Sequence, residues 1–328
     1  MIATVRARAN IALAKYWGKS DESLNLPAVP SVSITLDPLV TETTVEFGVD
    51  DPEDTLWLAG EKIEGRPLQR VMRVLDEVRR DAGIEFRAKV TSVNHFPTAS
   101  GLASSASGFA ALAGAAYAAA GVSMDAAYLS QVARRQSASA ARSVFGGFVY
   151  LPAGSAGVEM QAKPLYPPDY WAVRIVVAVT REGEKEVSST RGMMHTQHTS
   201  PYFGPWVQTA HGLCDEILDA LAHKDLQRLG EAAEQSAFAM HASAMASRPP
   251  IVYWLPASIQ ALQTVRSLRA KGISAWATMD AGPHVKVLCA AGDVDAVNAA
   301  LSSTPGVLRT LVASPGPGLE VVRDAAHR

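Results

Sequence analysis

Cysteine is nearly absent from this chain of 328 residues. It has two, Cys214 and Cys289, far apart and with no CxxC pair, which leaves no disulfide framework and no cysteine-based zinc site. Both read as small core residues. Net charge is also missing, at −2 overall. A protein that coats nucleic acid or an anionic membrane needs a surplus of cations, so neither is the expected partner, and any anion must be held by a local cluster. No apolar run approaches the ~18 residues of a membrane span, and the opening MIATVRARANIALAKYWGK lacks a continuous apolar core of signal-peptide length. The expected location is the cytoplasm. There is no internal repeat.

What is present suits a globular protein: 48% of residues are hydrophobic, and the chain is long enough for two domains of ordinary size. The expected division is 1–168 and 169–328, in the Pro-containing AKPLYPPDYW (162–171). The alternation of residues 2–7 predicts a strand, and SVSITL (31–36) with TETTVEFGV (41–49) a strand pair around Asp37-Pro38. Leu68, Val71, Met72, Val74, Leu75 and Val78 recur at helical spacing up to Gly83, and residues 86–93 return as a strand. Ser123 is placed to cap a helix over MDAAYLSQVARR, and SASAARSVFGGFVYLPAG turns a short helix into a strand through Gly146-Gly147. In the second half AVRIVVAVT reads as a buried strand, two long helical patterns lie between 199 and 246, and 256–271 forms another helix. ISAWATMDAGPHVKVLCA then reads as strand, turn and strand, followed by a helix at 294–302 and a last strand at 307–312.

Five stretches carry candidate chemistry. FPTASGLASSASGFAALAGAAYAAAG (96–121) begins as a Gly/Ser/Thr-rich turn and ends as an Ala-rich helix. Small residues let backbone N–H groups approach phosphate oxygens, and a helix N-terminus adds roughly half a positive charge. Ser104 and Ser105 stand where that helix begins, with hydroxyls suited to phosphate or Mg²⁺. The stretch contains no lysine and fits neither GxxxxGK[ST] nor GxGxxG, and by spacing alone an Ala-rich packing helix with a tight entry turn explains it as well. In ANIALAKYWGKSDESLNLP, Lys15 and Lys19 share a face if the segment is helical, with Tyr16 and Trp17 between them. They are either a phosphate grip or a solvated pair beside core aromatics.

SASAARS (137–143) puts Ser139 and Arg142 on one helical face, and the planar guanidinium matches a carboxylate or phosphate with two parallel hydrogen bonds. A capping or surface arginine is the plainer account. In TMDAGPHVK, Asp280 ends an apolar strand before Gly282-Pro283. It is an ordinary turn aspartate, or a carboxylate held firmly enough to orient a substrate hydroxyl. KEVSSTRGM (185–193) reads as a flexible polar loop carrying three hydroxyls and Arg191. His195 and His198 form an HxxH pair with no third ligand nearby, which argues against a metal.

In order along the chain, NIALAKYWGK, FPTASGLASSASGFAAL, SASAARSVFGGFV, EVSSTRGM and MDAGP resemble the motifs of the GHMP kinase superfamily and, within it, of the diphosphomevalonate decarboxylase family. The resemblance implies an α+β fold, the GHMP kinase fold, with an N-terminal domain like the second domain of ribosomal protein S5 and a C-terminal ferredoxin-like α+β domain. It also implies a reaction of the mevalonate pathway of isoprenoid biosynthesis. ATP and (R)-5-diphosphomevalonate would give isopentenyl diphosphate, CO₂, ADP and phosphate, with ATP and Mg²⁺ as cofactors and a homodimer as the working form. Catalysis would fall to Asp280 on the 3-hydroxyl, Arg142 on the carboxylate and Lys15 beside the transferring phosphate. Tyr16, Lys19, Asn25, Ser137, Ser139, Ser189 and Thr190 match substrate-binding positions. Gly101, Leu102, Ala103, Ser104 and Ser105 match the ATP side, with Ser105 also a contact for Mg²⁺, and Asn10 would organise the loop around Lys15.

Two nearby cations would keep Asp280 ionised and make it a weak base, so positioning should outweigh proton abstraction. The chain departs from the family pattern at Ala28-Val29-Pro30, His95, Ala138, Ala141 and His284, which leaves substrate detail open. The alternatives are a decarboxylase of 5-phosphomevalonate or a related acid, and a mevalonate-type kinase that does not decarboxylate. Asp280, Arg142 and Lys15 together favour decarboxylation, because a kinase needs no arginine on the carboxylate.

Overall fold

The computed structural model describes residues 1–96, 104–183 and 186–323, and its first strand, expected over 2–7, runs seven residues further than the sequence predicts. β1 runs Ile2–Ala14 and stops just before Lys15, so the helix on which Lys15 and Lys19 would share a face does not form. Burial on both sides explains the difference. Ala3, Val5 and Ala7 enter one core and Ala9, Ile11 and Leu13 another, so a period of two persists where a helix would turn part of the set away. The hairpin of β2 (Lys19–Asp21) and β3 (Leu26–Pro27) follows.

β4 (Ser31–Phe47) is one continuous strand where the sequence predicts a pair. Its register with β1 jumps from Arg8↔Val40 to Asn10↔Thr35. The bulge leaves Leu36 and Asp37 to another partner and tolerates Pro38, which has no N–H to give.

β5 (Thr55–Leu58) and β6 (Glu61–Ile63) lead into α1 (Arg66–Ala82), which starts at a proline and ends at a left-handed Gly83, as its sequence predicts. After β7 (Ala88–Asn94), α2 (Ser104–Ala119) is buried on nearly every side, and its alanines let it lie close on β1 and β4. α3 (Ala126–Gln136) is capped by Asp125, whose carboxylate accepts from the Tyr128 N–H at 2.7 Å. Ser123 stands two residues too early to make that three-residue reach. α4 (Ala140–Ser143), β8 (Phe148–Leu151) and β9 (Lys163–Tyr166) complete the first half.

In β10 (Val173–Val179), Ile175 and Val177 face one core and Val176 and Ala178 another. The segment read as a polar loop opens α5 (Ser189–Thr199). Ser188 caps it by accepting from the Arg191 N–H at 3.3 Å, and Gly192 lets it press against Trp17 and Tyr253. Next come α6 (Phe203–His223), α7 (Leu226–Met245), α8 (Pro256–Ala270), β11 (Trp276–Thr278), β12 (Val285–Ala290) and α9 (Val294–Ser302). β13 (Arg309–Pro315) runs past its predicted end, and β14 (Glu320–Arg323), which carries no strand signal strong enough to read, pairs with β1.

Twelve strands among the described residues form one sheet, with the main path β11-β12-β10-β13-β4-β7-β5-β6. The two halves are spliced where Ser314 and Pro315 of β13 pair with Asp37 and Leu36 of β4. Over this splice α6 and α7 bury Leu213, Ile217 and Leu229 in a cluster with Ile11, Leu13, Ile34, Ile175 and Val177. The end of β1 therefore meets the turn between β11 and β12.

Gly147 turns the corner into β8 with φ +67, and a Cβ there would overlap the Tyr166 carbonyl and Pro167. Its N–H and C=O bond to Gly316 and Thr35, each at 2.9 Å. Gly147→Ala is expected to destabilise the fold by about 2 kcal/mol or more; an unchanged urea midpoint would show that the corner is not strained.

Candidate active site

Asp280 lies just past β11, where its carbonyl accepts from the Gly282 N–H at 2.7 Å. Lys15, just past the end of β1, donates from Nζ to Asp280 Oδ1 at 2.7 Å and to the Ala12 carbonyl at 2.8 Å. The Lys15 N–H donates to Ser236 Oγ of α7 at 3.0 Å. Lys286, on β12, stands 3.1 Å from Oδ2. The lysine side chains are 1% and 0% exposed, whereas Asp280 keeps 25% and opens onto a cavity.

Burial pushes the Asp280 carboxyl up, but the charges and hydrogen bonds of Lys15 and Lys286 outweigh it and hold the group far below the usual carboxylate range. Burial also lowers Lys15, to about 8, with Lys286 and Arg142 adding repulsion against the opposing pull of Asp280. Lys286 was missed from sequence. Its signal is a single lysine in VKVLC, a strand whose neighbours Val285, Val287 and Cys289 are all apolar and buried.

Arg142 is carried by α4 and is 2% exposed. Its Nη1 donates to Ser31 Oγ at 2.8 Å, and Nη2 and Nε donate to Asn10 Oδ1 at 3.1 and 3.3 Å. Asn10 in turn donates to the Ser139 carbonyl at 2.9 Å and to Ser143 Oγ at 2.7 Å. Asn10 therefore fixes Arg142 rather than the loop around Lys15, because its place within β1 faces α4. Burial lowers Arg142 to about 10, which leaves it charged at neutral pH, and the carboxylate whose charge reaches it is Asp280. A buried guanidinium held mainly by neutral oxygens is a poor way to gain stability and a good way to receive an anion.

These groups share a cavity of about 850 Å³. Lys15, Tyr16, Lys19, Asn25, Ser104, Ser105, Ser137, Ser139, Arg142, Ser189, Thr190 and Asp280 all line it. Gly101, Leu102 and Ala103 lie outside the described residues. Tyr16 Oη is buried without a hydrogen-bond partner among the described residues, and burial pushes its phenol up, so it stays a donor. Asn25, at φ 53, spends its Nδ2 on the Arg134 carbonyl at 2.9 Å and supports the hairpin that carries Lys19. Burial lowers Lys19 as well. Ser137 Oγ and Ser139 Oγ are 3.0 Å apart.

Arg66, Arg70 and Arg73 of α1 also line the cavity and were missed, although their spacing of four and three residues places them on one helical face. Arg70 lies over the Phe109 ring at 4.3 Å and donates to the Gln136 carbonyl. Burial, then the repulsion of Arg66 and Arg73, lowers it to about 10. Among the described residues seven basic side chains line the cavity against two acids, Glu22 and Asp280, so it favours a multiply charged anion.

The departures at 28–30 lie off the cavity lining, and Val29 packs instead in the apolar cluster around Trp17, Met193 and Trp206. Ala138 is at the lining and Ala141 in the core behind it. His284 accepts from the Thr180 N–H at 3.2 Å, and burial keeps it neutral, at about 3. His195 Nε2 lies 2.8 Å from the Pro249 carbonyl. Among the described residues no three ligand-type side chains cluster as a metal site.

Two family models match the chain: the diphosphomevalonate decarboxylase-like N-terminal domain over residues 7–162 and the mevalonate 5-diphosphate decarboxylase C-terminal domain over residues 175–310. The diphosphomevalonate decarboxylase of Candida albicans is 34% identical over 350 residues, covering 96% of each chain. The phosphomevalonate decarboxylase of Haloferax volcanii is 34% identical over 303 residues, covering 92% of each. Among solved structures, MDDEF in complex with MVAPP, AMPPCP and magnesium aligns with a TM-score of 0.91 at 41% identity, with 98% of each chain covered.

The charge state of Lys15 can be read directly. In the ligand-free protein its ammonium should titrate near pH 8, charged below that and neutral above, in NMR of ¹³Cε/¹⁵Nζ-labelled lysine assigned with Lys15→Arg. A midpoint in the ordinary range near 10 would show that burial does not set this charge.

Proposed function

The chain belongs to the diphosphomevalonate decarboxylase family, and on that premise we propose that it catalyses the ATP-dependent decarboxylation of (R)-5-diphosphomevalonate to isopentenyl diphosphate, with release of ADP, phosphate and CO₂. The observation that carries this reading is Arg142: a fully buried, charged guanidinium facing the same cavity as Asp280. Phosphoryl transfer to a hydroxyl needs a carboxylate such as Asp280 to align the acceptor. It needs no second anion site beside it, whereas a substrate that must lose CO₂ brings a carboxylate to be held.

The order of events follows from the substrate. Its carboxylate has no neighbouring carbonyl or cofactor ring to accept electrons, so the tertiary hydroxyl must first become a leaving group. In the first step a bond forms between the hydroxyl oxygen and the γ-phosphorus of ATP, the bond to the β-phosphate oxygen breaks, and the hydroxyl proton passes to solvent. Asp280 accepts the hydrogen bond that aims the oxygen, and Lys15 offsets charge on the transferring group. In the second step the C–O bond breaks with phosphate leaving. The electron pair of the carboxyl C–C bond then becomes the new double bond as CO₂ departs, with Arg142 holding the carboxylate in line.

Tyr16, Lys19, Ser137, Ser139, Ser189 and Thr190 take the phosphorylated tail. The ATP phosphates lie against Ser104 and Ser105 at the start of α2, with Arg66, Arg70 and Arg73 of α1 lining the same cavity. Those hydroxyls are the donors of a type that suits Mg²⁺, which would spread the negative charge of the phosphates when bound. In this reading residues 1–168 and 169–328 act as two domains around the cavity, and the enzyme is a cytoplasmic homodimer. No helix among the described residues is long and apolar enough to cross a membrane.

The Haloferax volcanii relative favours one other reading, a monophosphate substrate. Incubation with Mg-ATP and either diphosphomevalonate or 5-phosphomevalonate, measuring ADP and CO₂ separately, decides between them. Equal ADP and CO₂ from the diphosphate is the expected result. CO₂ from the monophosphate alone would reassign the substrate, and ADP without CO₂ would make the chain a kinase. Asp280→Asn should cost at least about a hundredfold in kcat while diphosphomevalonate still binds in calorimetry; near-normal turnover would remove Asp280 from its role.

A further inference from the structure

Among the described residues, Lys286 is the one buried cation at the site that the reaction scheme leaves without a task. It is 0% exposed and does not reach the cavity lining, so it cannot touch a substrate. Along β12 the side chains of Val285, Val287 and Cys289 enter the core shared with α8 and α9. The alternation of a strand sends Lys286 and Leu288 to the opposite face, where Leu288 joins the core under α6 and α7. A leucine-like residue would suit that face and would need no partner. Lysine there is a charge taken out of water, retained although an apolar residue of similar volume packs better.

What the lysine touches is Asp280. Lys15 holds Oδ1 from β1 and Lys286 holds Oδ2 from β12. Cations on opposite oxygens fix the carboxylate plane, with Oδ2 itself shut off from solvent. The surroundings add no competing base. Arg142 approaches from α4, and Tyr16 lines the same cavity as a protonated phenol. From α7 the His241 ring hydrogen-bonds to the Asp280 backbone and is kept neutral by burial, at about 3. His284, in the turn just before β12 and two residues from Lys286, is neutral too, with the charges of Lys286 and Arg309 adding to its burial. Among the described residues the titratable groups facing Asp280 are thus cationic or neutral.

We propose that Lys286 is a positioning residue that acts through Asp280: it pins Oδ2, and together with Lys15 it denies the carboxylate a proton, so that Asp280 serves as a fixed negative hydrogen-bond acceptor and not as the base. With Lys15 alone, desolvation would work against a single opposing cation, and the carboxyl would take up a proton at a higher pH. The proposal rests on the decarboxylase reading for its kinetic consequence and is independent of it for its electrostatic one.

The test has a part for each. In ligand-free protein labelled at the aspartate carboxyl carbon and assigned with Asp280→Asn, the wild-type Asp280 signal should show no inflection from pH 8 down to about pH 4, the ordinary aspartate value. In Lys286→Met the inflection should rise above about pH 4.5, because one of two cations has gone. In turnover, Lys286→Met should lose roughly tenfold or more in kcat at pH 7 and gain an acid limb that wild type lacks.

A wild-type Asp280 signal that titrates above pH 4 overturns the proposal, and this needs no variant to fold. So does a folded Lys286→Met whose carboxyl signal and kcat profile keep the wild-type pH dependence, whatever its absolute rate. Loss of rate with an unchanged profile would mark Lys286 as structural and also counts against it. If neither mevalonate phosphate is turned over, the carboxyl titration still decides the electrostatic claim, so the two failures can be told apart.

Discussion

The contact between Lys15 and Asp280 joins residues 265 positions apart in sequence, and the sheet is what closes that distance to 2.7 Å. β4 pairs with β1 along most of its length and hands Leu36 and Asp37 to β13 through a bulge. β13 pairs with β10, and β10 with β12. Lys15 and Asp280 are therefore fixed at two ends of one hydrogen-bonded path. A slip of one residue anywhere along it would exchange the faces of a strand buried on both sides, which the apolar clusters forbid. The precision of the site comes from the register of its strands.

Charge explains why the site is costly to fold and useful once folded. Lys15, Lys286 and Arg142 are all essentially without solvent, and Asp280 balances part of their charge. The hydroxyl and amide oxygens of Ser31 and Asn10 satisfy the arginine's donors without neutralising it. Arg66, Arg70, Arg73 and Lys19 extend the same field across the cavity. A stable core would not be built this way; an anion site would, because the positive charge left over is the potential that draws phosphates and a carboxylate in.

Much of the fold could be read from the chain because local signals agreed with it. α1 has Pro67 in its first turn and Gly83 as its C-terminal cap, and β10 is apolar on both faces. The misreadings share a cause, which is that tertiary partners decided where local spacing allowed two outcomes. A helix that would put Lys15 and Lys19 on one face is ruled out once β4 pairs with β1 as far as Ala14 and β3 takes Lys19; the polar run before Gly192 fits a loop until Trp17 and Tyr253 supply a surface for a helix. At the site, the motif residues were legible because several unusual short stretches recur in order. Lys286 and the α1 arginines were not, since an isolated lysine in a strand and an arginine stripe on a helix look like a solvated edge and a solvated face. Only the position of a second element shows otherwise.

The two stages of the proposed reaction place opposite demands on one residue. Aligning a hydroxyl asks for a good hydrogen-bond acceptor, which a base also is. Loss of phosphate then develops positive charge at the tertiary carbon in surroundings already rich in cations, and a carboxylate that had taken the hydroxyl proton would by then be neutral and unable to offset it. An aspartate gripped by two lysines meets both demands, because it accepts a hydrogen bond without accepting the proton and keeps its charge for the second stage. The little that a base adds to a loose phosphoryl transfer is a small loss against a counter-charge that stays in place while the carbon needs it.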